Sequence, residues 1–566
     1  GGHVQDDIDR VDVILERYGG RGATPRKDQN SDRFLSNELT QLSSMTAILP
    51  PIFLGVAAFL INMVLSRLVE SEREIIGLLT AFGYRSRMIM FHYAKLALVL
   101  SIPGLLFGLL LGSWMGRGLA GMYQDFFVFP FLTYRAGFDV FFISCVIAIL
   151  VVLLGAAQTV RRIGKLTAAE AMRPPVPPNY SGGFAQLVGR IRGLDEPTRI
   201  ILRGTARRPL RSLLGSFGVA SALGLYISSA GSTDNVRMMI DLMFNQANRA
   251  DVNVIFSEAR DDRALFELAR LAGVMRVEPV RYVGAKLSAG HRSKSETITG
   301  MKPGGDLNRL VDLDNGILEP PTQGLMISYG LSKELAIGPG DLVNIKITDG
   351  RRPHVTMPVA SVLSSPVSNP AYVDFKNLGP IMREGPLSSG AYLSVDATQT
   401  DKLYRQLKDM PMIAGFSQRS AALRGIEETI GETMGIVRLF NIAFSGLIVF
   451  GVVYNNARIS LAERARDLVS LRVLGYRRSE VSYILLGELA LIVMAGIPLG
   501  MMFGYYLSLQ ISEAVSGDLF IIPFALSAAT VAFAILIVLA TAALSALFVR
   551  GRLDRLNLVS VLKTRE

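Results

Sequence analysis

Apolar residues in this chain gather into seven stretches, at 45–66, 89–115, 137–159, 212–231, 436–457, 482–508 and 522–549. Each is close to the roughly 20 residues that an α-helix needs to cross the hydrocarbon core of a bilayer. The first carries Pro50-Pro51, and the fourth is the weakest because Ser212, Ser216, Ser221, Ser228 and Ser229 dilute it. The connections between stretches differ in charge. Residues 67–88 hold Arg67, Arg73, Arg85 and Arg87, residues 160–211 hold eleven Lys and Arg from Arg161 to Arg211, and residues 458–481 hold six Arg. The tail adds Arg550, Arg552, Arg555, Lys563 and Arg565, while 509–521 has no basic residue and 116–136 only Arg117 and Arg135. When seven spans alternate, every rich connection falls on one side, which the positive-inside rule makes the cytoplasm.

The polar region 232–435 is then outside and reads as a soluble α+β domain. Asp261–Ala272 has the helical spacing of Leu265, Leu268 and Leu271, and Leu331–Ala336 reads as a short helix stopped by Gly338-Pro339-Gly340. Leu342–Thr348 and Val355–Val362 alternate like strands around Asp349-Gly350, a hairpin pattern. Residues 1–44 lie on the same outer side and end in a polar helix, Asp32–Leu42. This segment lacks Met and any signal-peptide pattern, so it reads as the end of a longer first outer domain.

Composition sharpens this picture. Half of the 566 residues are hydrophobic and 19% are charged, with a mean hydropathy of +0.36. The net charge of +11 would suggest nucleic acid on a soluble protein. Here the positives crowd beside apolar runs, as juxtamembrane anchors do, so no nucleic-acid partner is expected. The single cysteine, Cys145, sits inside an apolar stretch, and His3, His92, His291 and His354 are scattered, which argues against disulfides and a metal site. There is no phosphate-binding Gly-x4-Gly-Lys-Ser/Thr loop, no Gly-x-Ser-x-Gly and no His-Glu-x-x-His. Neither a bound cofactor nor catalysis by this chain is expected. Lys95 and Glu488 lie about two turns inside their spans. Ionisable groups there are functional candidates, although both are near enough to the cytoplasmic edge to reach the interface.

The chain also repeats itself. Ile76–Arg85 parallels Leu468–Arg477 at an offset of 392 residues, and the same offset carries Gly104, Gly108 and Gly112 onto Gly496, Gly500 and Gly504. A glycine at every fourth position forms one smooth helix stripe that lets two backbones approach in lipid, as static packing or as a moving contact. Ahead of each glycine-rich span lies an amphipathic cytoplasmic stretch, Glu70–Tyr84 and Glu463–Tyr476, with charges first, apolar residues next, and Gly83 or Gly475 to stop a helix. Such a short helix can dock an apolar ridge into a partner's groove or lie on the membrane surface.

These two stretches resemble the cytoplasmic coupling segment of the FtsX/MacB/LolC-like ABC transporter permease family. Arg73, Glu74, Ile76, Gly77, Leu79, Ala81 and Gly83 carry the likeness in the first copy. Glu463, Arg464, Arg466, Asp467, Leu471, Arg472, Leu474 and Gly475 carry it in the second, with departures at Thr80, Phe82, Val469 and Val473. Ala169–Pro174 and Arg207–Arg211 resemble the family's basic flanks around spans. The resemblance is to members in which one polypeptide supplies both membrane halves. It implies a separate ATPase, in all expectation a dimer, that grips Arg73, Glu74, Ile76, Gly77, Leu79 and Gly83 in one half. In the other half it would grip Glu463, Arg464, Arg466, Asp467, Leu471 and Gly475.

The expected fold is a polytopic α-helical membrane protein of about seven spans in two repeated units, with an extracytoplasmic α+β domain. Its parts would be a remnant of a first outer domain (1–44), a first three-span unit (45–160), a cytoplasmic linker (161–211) and a stalk span (212–231). The outer domain (232–435), a second three-span unit (436–549) and a cytoplasmic tail (550–566) follow. The resemblance further implies the bacterial cytoplasmic (inner) membrane, contact with its lipids, an extracytoplasmic protein partner, and export or extraction of a lipid, lipoprotein or amphiphile. Two other readings are a scaffold that transmits force to a cell-wall enzyme and, with only Lys95 and Glu488 near the membrane interior, an ion-coupled transporter.

Overall fold

The computed structural model describes residues 29–126, 133–165, 195–207, 209–366, 370–516 and 521–554, with scattered positions before 29. In chain order the helices begin with α1 (Asn30–Ser71), α2 (Arg73–Ala81), α3 (Ser86–Phe126), α4 (Phe138–Lys165), α5 (Glu196–Arg207) and α6 (Pro209–Asp241). A π-helical turn, Leu242–Ala247, ends α6. There follow β1 (Val252–Arg260), α7 (Asp262–Ala269), β2 (Val274–Ala289), β3 (Arg292–Met301), β4 (Leu310–Asp312), β5 (Gly316–Leu318) and β6 (Leu325–Ser328). Next come α8 (Tyr329–Leu335), β7 (Leu342–Ile347), β8 (His354–Leu363), β9 (Ala371–Asp374), α9 (Phe375–Met382), β10 (Ser388–Val395), α10 (Thr400–Lys408) and β11 (Ile413–Gln418). The last helices are α11 (Arg419–Val473), α12 (Arg478–Val515) and α13 (Ala528–Asp554).

Among the described residues, five helices are long and apolar enough to cross a membrane: Ser86–Gly121, Phe138–Ala157, Ser212–Ala247, Ser479–Val515 and Ala528–Gly551. A shorter apolar stretch, Pro50–Ser66, lies in α1, and residues 436–457 lie within α11. Asp32–Leu42 leads into the first span as expected, as the start of the 42-residue α1, which also runs through Pro50 and Pro51. Two expectations change in detail. The span expected from 522 begins only at Ala528. The apolar residues before it, 521–527, are not helical: the Ala525 amide donates to Asn235 Oδ1 at 2.7 Å and the Ser527 amide to Asp234 Oδ2 at 2.9 Å. The helix after Ser328 stops at Ala336, whose φ of +53° is left-handed, two residues ahead of the glycines expected to stop it.

The chain divides into two compact units, one of residues 1–45, 228–440 and 508–530, the other of 46–227, 441–507 and 531–566. The first holds the β-rich domain. Its nine-stranded sheet runs β11-β1-β10-β2-β3-β9-β6-β8-β7, and β7 pairs back onto β2, so six strands from β2 to β7 close into a ring. The alternating residues of β7 and β8 form the antiparallel hairpin their pattern predicts, Leu342 facing Pro358 and Lys346 facing His354. Inside the ring, Leu287, Ile327, Val343, Ile345 and Val373 are fully buried with Leu331 of α8 and Met382 of α9. A second core joins Val252 and Val254 of β1, Leu393 of β10, Leu268 of α7 and Leu403 of α10. Asp261 caps α7, its carboxylate accepting the Arg263 amide at 3.2 Å.

Asp312 ties the small β4–β5 hairpin to the end of β8. Its carboxylate accepts the amides of Asp314, Asn315 and Ser364 and the Asn315 side-chain amide, at 2.7–3.0 Å. Burial alone would raise its pKa, but these donors outweigh it and hold the group below the usual carboxylate range.

In the second unit, α1, α3 and α4 form one set of apolar helices and α6, α11, α12 and α13 another. Gly155 of α4 lies where a methyl group would stand 2.5 Å from the Ala58 carbonyl of α1. Thr159 and Ser66 complete that crossing, 2.5 Å apart. Between the sets, Phe53 meets Phe444 edge-to-face with ring centroids 4.7 Å apart. Asn455 Nδ2 donates to Met63 Sδ at 2.9 Å, across a sequence separation of 392. Residues one repeat length apart thus touch each other, as they do on either side of a two-fold axis.

Candidate coupling elbows and glycine faces

The first elbow is α2, set off from α1 at Glu72 and closed by Gly83. Its end is a Schellman turn: Gly83 N–H donates to Thr80 O and Tyr84 N–H to Leu79 O, both at 3.1 Å. Gly83 takes φ +88° to allow this, a conformation that costs other L-residues a steric clash. The inner face is held by Ile76, only 1% exposed, packed with Val69, Ile89 and Tyr93 and flanked by Leu68, Leu79 and Met90. Tyr93 Oη donates to Glu72 Oε2 at 2.6 Å, which locks the break between α1 and α2 onto α3.

The outer face is different. Ile75, Leu78 and Phe82 are 57%, 48% and 74% exposed, and their spacing puts them on one side of the helix as an apolar ridge. Of the residues that the family resemblance assigns to partner contact, Glu74 and Gly83 are exposed and Arg73 and Leu79 half-buried. Ile76 and Gly77 are buried and hold the elbow in place. Sequence reasoning missed Ile75, Leu78 and Phe82, because adjacent apolar pairs (Ile75-Ile76, Leu78-Leu79) do not reveal which member turns outward.

The second elbow is built otherwise. Residues 463–473 are not a separate short helix but the end of α11, which runs unbroken from Arg419. Gly475 again takes a left-handed φ, +99°, and α12 opens with the Glu480 carboxylate accepting the Arg477 amide at 2.8 Å. The side chains of Glu463, Arg464, Arg466, Asp467 and Leu471 lie outside the described residues. The outward positions of the first elbow, Ile75, Leu78 and Phe82, correspond at the offset of 392 to Asp467, Ser470 and Leu474. Ser470 and Leu474 are both exposed. The motif is duplicated, but its outward chemistry is not.

The two glycine stripes also part company. A methyl group on Gly496 would stand 2.9 Å from Val219 Cβ, one on Gly500 2.9 Å from the Ala220 carbonyl oxygen, and one on Gly504 2.8 Å from Ile227 Cβ. Helix α6 therefore lies directly on this stripe. Ser216, Ser221 and Ser228, among the serines that made it the weakest span by hydropathy, are buried; Ser216 Oγ donates to the Ile492 carbonyl at 2.9 Å, and Ser445 Oγ of α11 donates to the Ala222 carbonyl of α6 at 3.0 Å. Among the described residues, no other atom comes within 4 Å of the same point on Gly104, Gly108 or Gly112.

Lys95 is exposed, its Nζ 4.7 Å over the Phe91 ring, whereas Glu488 is buried at 4% exposure. In the other unit, a polar cavity of about 640 Å³ lies between the C-terminal end of α6 and the start of α11, lined by Arg237, Asp241, Asn245, Glu427 and Arg438. Among the described residues no three His, Cys, Asp or Glu side chains converge as metal ligands would.

Comparison with known proteins fits this duplication. Residues 47–168 and 439–558 each match the model of the FtsX-like permease C-terminal domain. A search of curated proteins finds no match. Among solved structures the chain is similar to the extracellular domain of the noncanonic ABC-type transporter YknZ from Gram-positive bacteria, at 14% identity over 27% of this chain and 87% of that one, TM-score 0.20. It is also similar to the periplasmic region of MacB from Actinobacillus actinomycetemcomitans, at 14% identity over 32% of this chain and 94% of that one, TM-score 0.22. Each membrane repeat is similar to the C-terminal domain of FtsX-like permeases, a family of ABC transporters that pair with an ATPase subunit.

Proposed function

We propose that this chain is the permease subunit of an ABC transporter of the bacterial cytoplasmic membrane, with ATP hydrolysed by a separate subunit docked on the two elbows. The observation that carries the reading is the pair of helix stops at Gly83 and Gly475. They lie one in each FtsX-like domain, both with left-handed φ. On this reading the ATPase seats an apolar socket on Ile75, Leu78 and Phe82 and a more polar one on the second elbow. Its closure tilts α11, which continues without a break from the second elbow to the edge of the β-rich domain. The cargo is a lipid, lipoprotein or other amphiphile. The polar cavity with Arg237, Arg438, Asp241 and Glu427 supports a charged headgroup at one end of such a molecule.

The test is charge placed on the ridge. In its host membrane, Leu78→Asp with Phe82→Asp lowers the co-purifying ATPase about tenfold or more, since a buried unpaired carboxylate costs several kcal/mol. Thermal stability stays unchanged, because both side chains are exposed. A variant that keeps a stoichiometric, fully active ATPase overturns the reading.

A further inference from the structure

In the β-rich domain, arginines from three separate segments converge on one carboxylate. Arg276 of β2 donates to Asp306 Oδ2 at 2.6 Å, Arg309 binds the same carboxylate, and Arg249 Nη1 lies 3.7 Å from its Oδ1. Among the described residues, no other carboxylate is within ion-pair distance of these three.

The main chain holds this arrangement in place. The Arg249 and Ala250 amides donate to the Leu307 carbonyl at 2.8 and 3.0 Å, and the Arg309 amide donates to the Ala247 carbonyl at 2.8 Å. From β2, the Glu278 carboxylate accepts the amides of Asp306 and Leu307 at 2.8 and 3.0 Å. Ala250 and Leu307 are buried with Val280 and Tyr392. Arg419, which opens α11, adds another cation, its Nη1 donating to the Arg249 carbonyl at 3.4 Å. Arg249, Arg276, Arg309 and Arg419 thus carry four positive charges against three on Asp251, Glu278 and Asp306. Of those three, Asp251 and Glu278 are turned to main-chain amides. Like charges fixed this close repel one another, and an added anion relieves them.

We propose that Arg249, Arg276 and Arg309 bind a phosphate group, which competes with Asp306 for their guanidinium donors. Guanidinium forks match phosphate oxygens in pairs, and three of them surround a tetrahedral oxyanion better than a planar carboxylate. Arg249 follows the turn that ends α6 and Arg419 begins α11. A bound phosphate therefore sits where both long helices enter the β-rich domain. The site is independent of ATPase docking and of the cavity lined by Arg237 and Arg438.

Calorimetric titration of the full chain in uncharged detergent micelles is the test, with inorganic phosphate as one probe and soluble short-chain phosphatidylglycerol as the other. Saturable binding of inorganic phosphate is expected if the ligand is a free phosphate compound, and of the phosphatidylglycerol alone if it is a lipid headgroup. Arg276→Gln and Arg309→Gln should each weaken that binding about tenfold, the worth of one charge-assisted hydrogen bond. Asp306→Asn should tighten it about fivefold by removing the competing charge. Arg263→Gln, on α7 against the other face of the sheet, should leave it unchanged. Binding of neither probe overturns the proposal. So does an equal loss at Arg263→Gln, which would mean attraction to net charge alone. Misfolding cannot raise affinity, so Asp306→Asn decides even where an arginine variant fails to fold: binding that is unchanged or weaker there sinks the idea.

Discussion

The two membrane repeats share a sequence pattern but differ in how much of it is used. In the second, the glycine stripe of α12 is pressed against α6 and the elbow is the tip of one long helix. In the first, the stripe of α3 meets no side chain among the described residues, and the elbow is a separate turn of helix, locked by Tyr93 and carrying an apolar ridge. A repeated motif therefore fixes the backbone path in both halves without fixing what each surface meets. The lesson is that the same glycine can be indispensable in one copy and nearly free in the other.

Substituting the glycines gives the largest effect. Gly500→Leu forces a side chain onto the Ala220 carbonyl and Leu223 Cβ, each 2.9 Å from the new carbon. Backbone oxygen cannot move aside cheaply, so the loss of stability is expected at about 3 kcal/mol or more. Gly108→Leu meets no atom among the described residues and removes a helix-weakening residue, so a gain of up to about 1 kcal/mol is expected. Unfolding in mixed detergent micelles distinguishes the two, and equal losses would erase the contrast between repeats.

The elbows come next. Ile76→Ala empties the small cluster formed with Val69, Ile89 and Tyr93 and should cost about 2 kcal/mol. Leu474→Ala, at a position 76% exposed, should change stability by about 0.5 kcal/mol or less while altering partner binding. Proteolysis at the elbow, compared across the two variants, reads the difference directly. If Leu474→Ala opened its elbow as readily as Ile76→Ala, the inner and outer faces would have been assigned wrongly.

Much of this architecture is legible before any coordinates. The offset of 392 pairs the elbows and both glycine stripes, and the arginine-rich connections give a consistent side to each span. What covers a stripe is not legible, because α6 lies some 280 residues ahead of Gly496 and its serines read as a defect until Ser216 is seen bonded to Ile492. The direction of Ile75 against Ile76 is equally hidden, since both are apolar and adjacent. The stretch 521–527 is apolar enough to pass for membrane, and only the capture of its amides by Asp234 and Asn235 shows why it stays outside the helix. The closed ring of strands depends on parallel pairings such as β3 with β9, about 70 residues apart, which no local pattern encodes.

A subtler asymmetry lies beneath the first elbow. Tyr93 corresponds to Leu485, which is buried at 1% exposure in an apolar cluster with Ala457, Leu489 and Val549. The first elbow thus carries a polar latch where the second carries hydrocarbon. Tyr93→Leu imposes the second repeat's residue on the first and strands the half-buried Glu72 carboxylate, for an expected loss of about 1.5 kcal/mol. Faster hydrogen exchange across residues 71–74, with none at 463–475, is the signature to look for. No change at either place would mean that the latch contributes nothing.

The smallest effect compares two serines beside the glycine-bearing helices, Ser216 in the second repeat and Ser113 in the first. Ser216 donates to a carbonyl of another helix, Ile492 O. Ser113 of α3 turns back to its own helix and donates to Leu109 O at 2.7 Å. Hydrogen bonds between membrane helices contribute about 0.6 kcal/mol on average, because the separated helices satisfy their hydroxyls internally. Ser216→Ala should lose about that much, and Ser113→Ala essentially nothing, since an intrahelical bond of this kind forms equally well in an isolated helix. Unfolding in mixed detergent micelles reads both variants, and an equal loss in the two would mean that contact with a neighbouring helix does not set the worth of the hydroxyl.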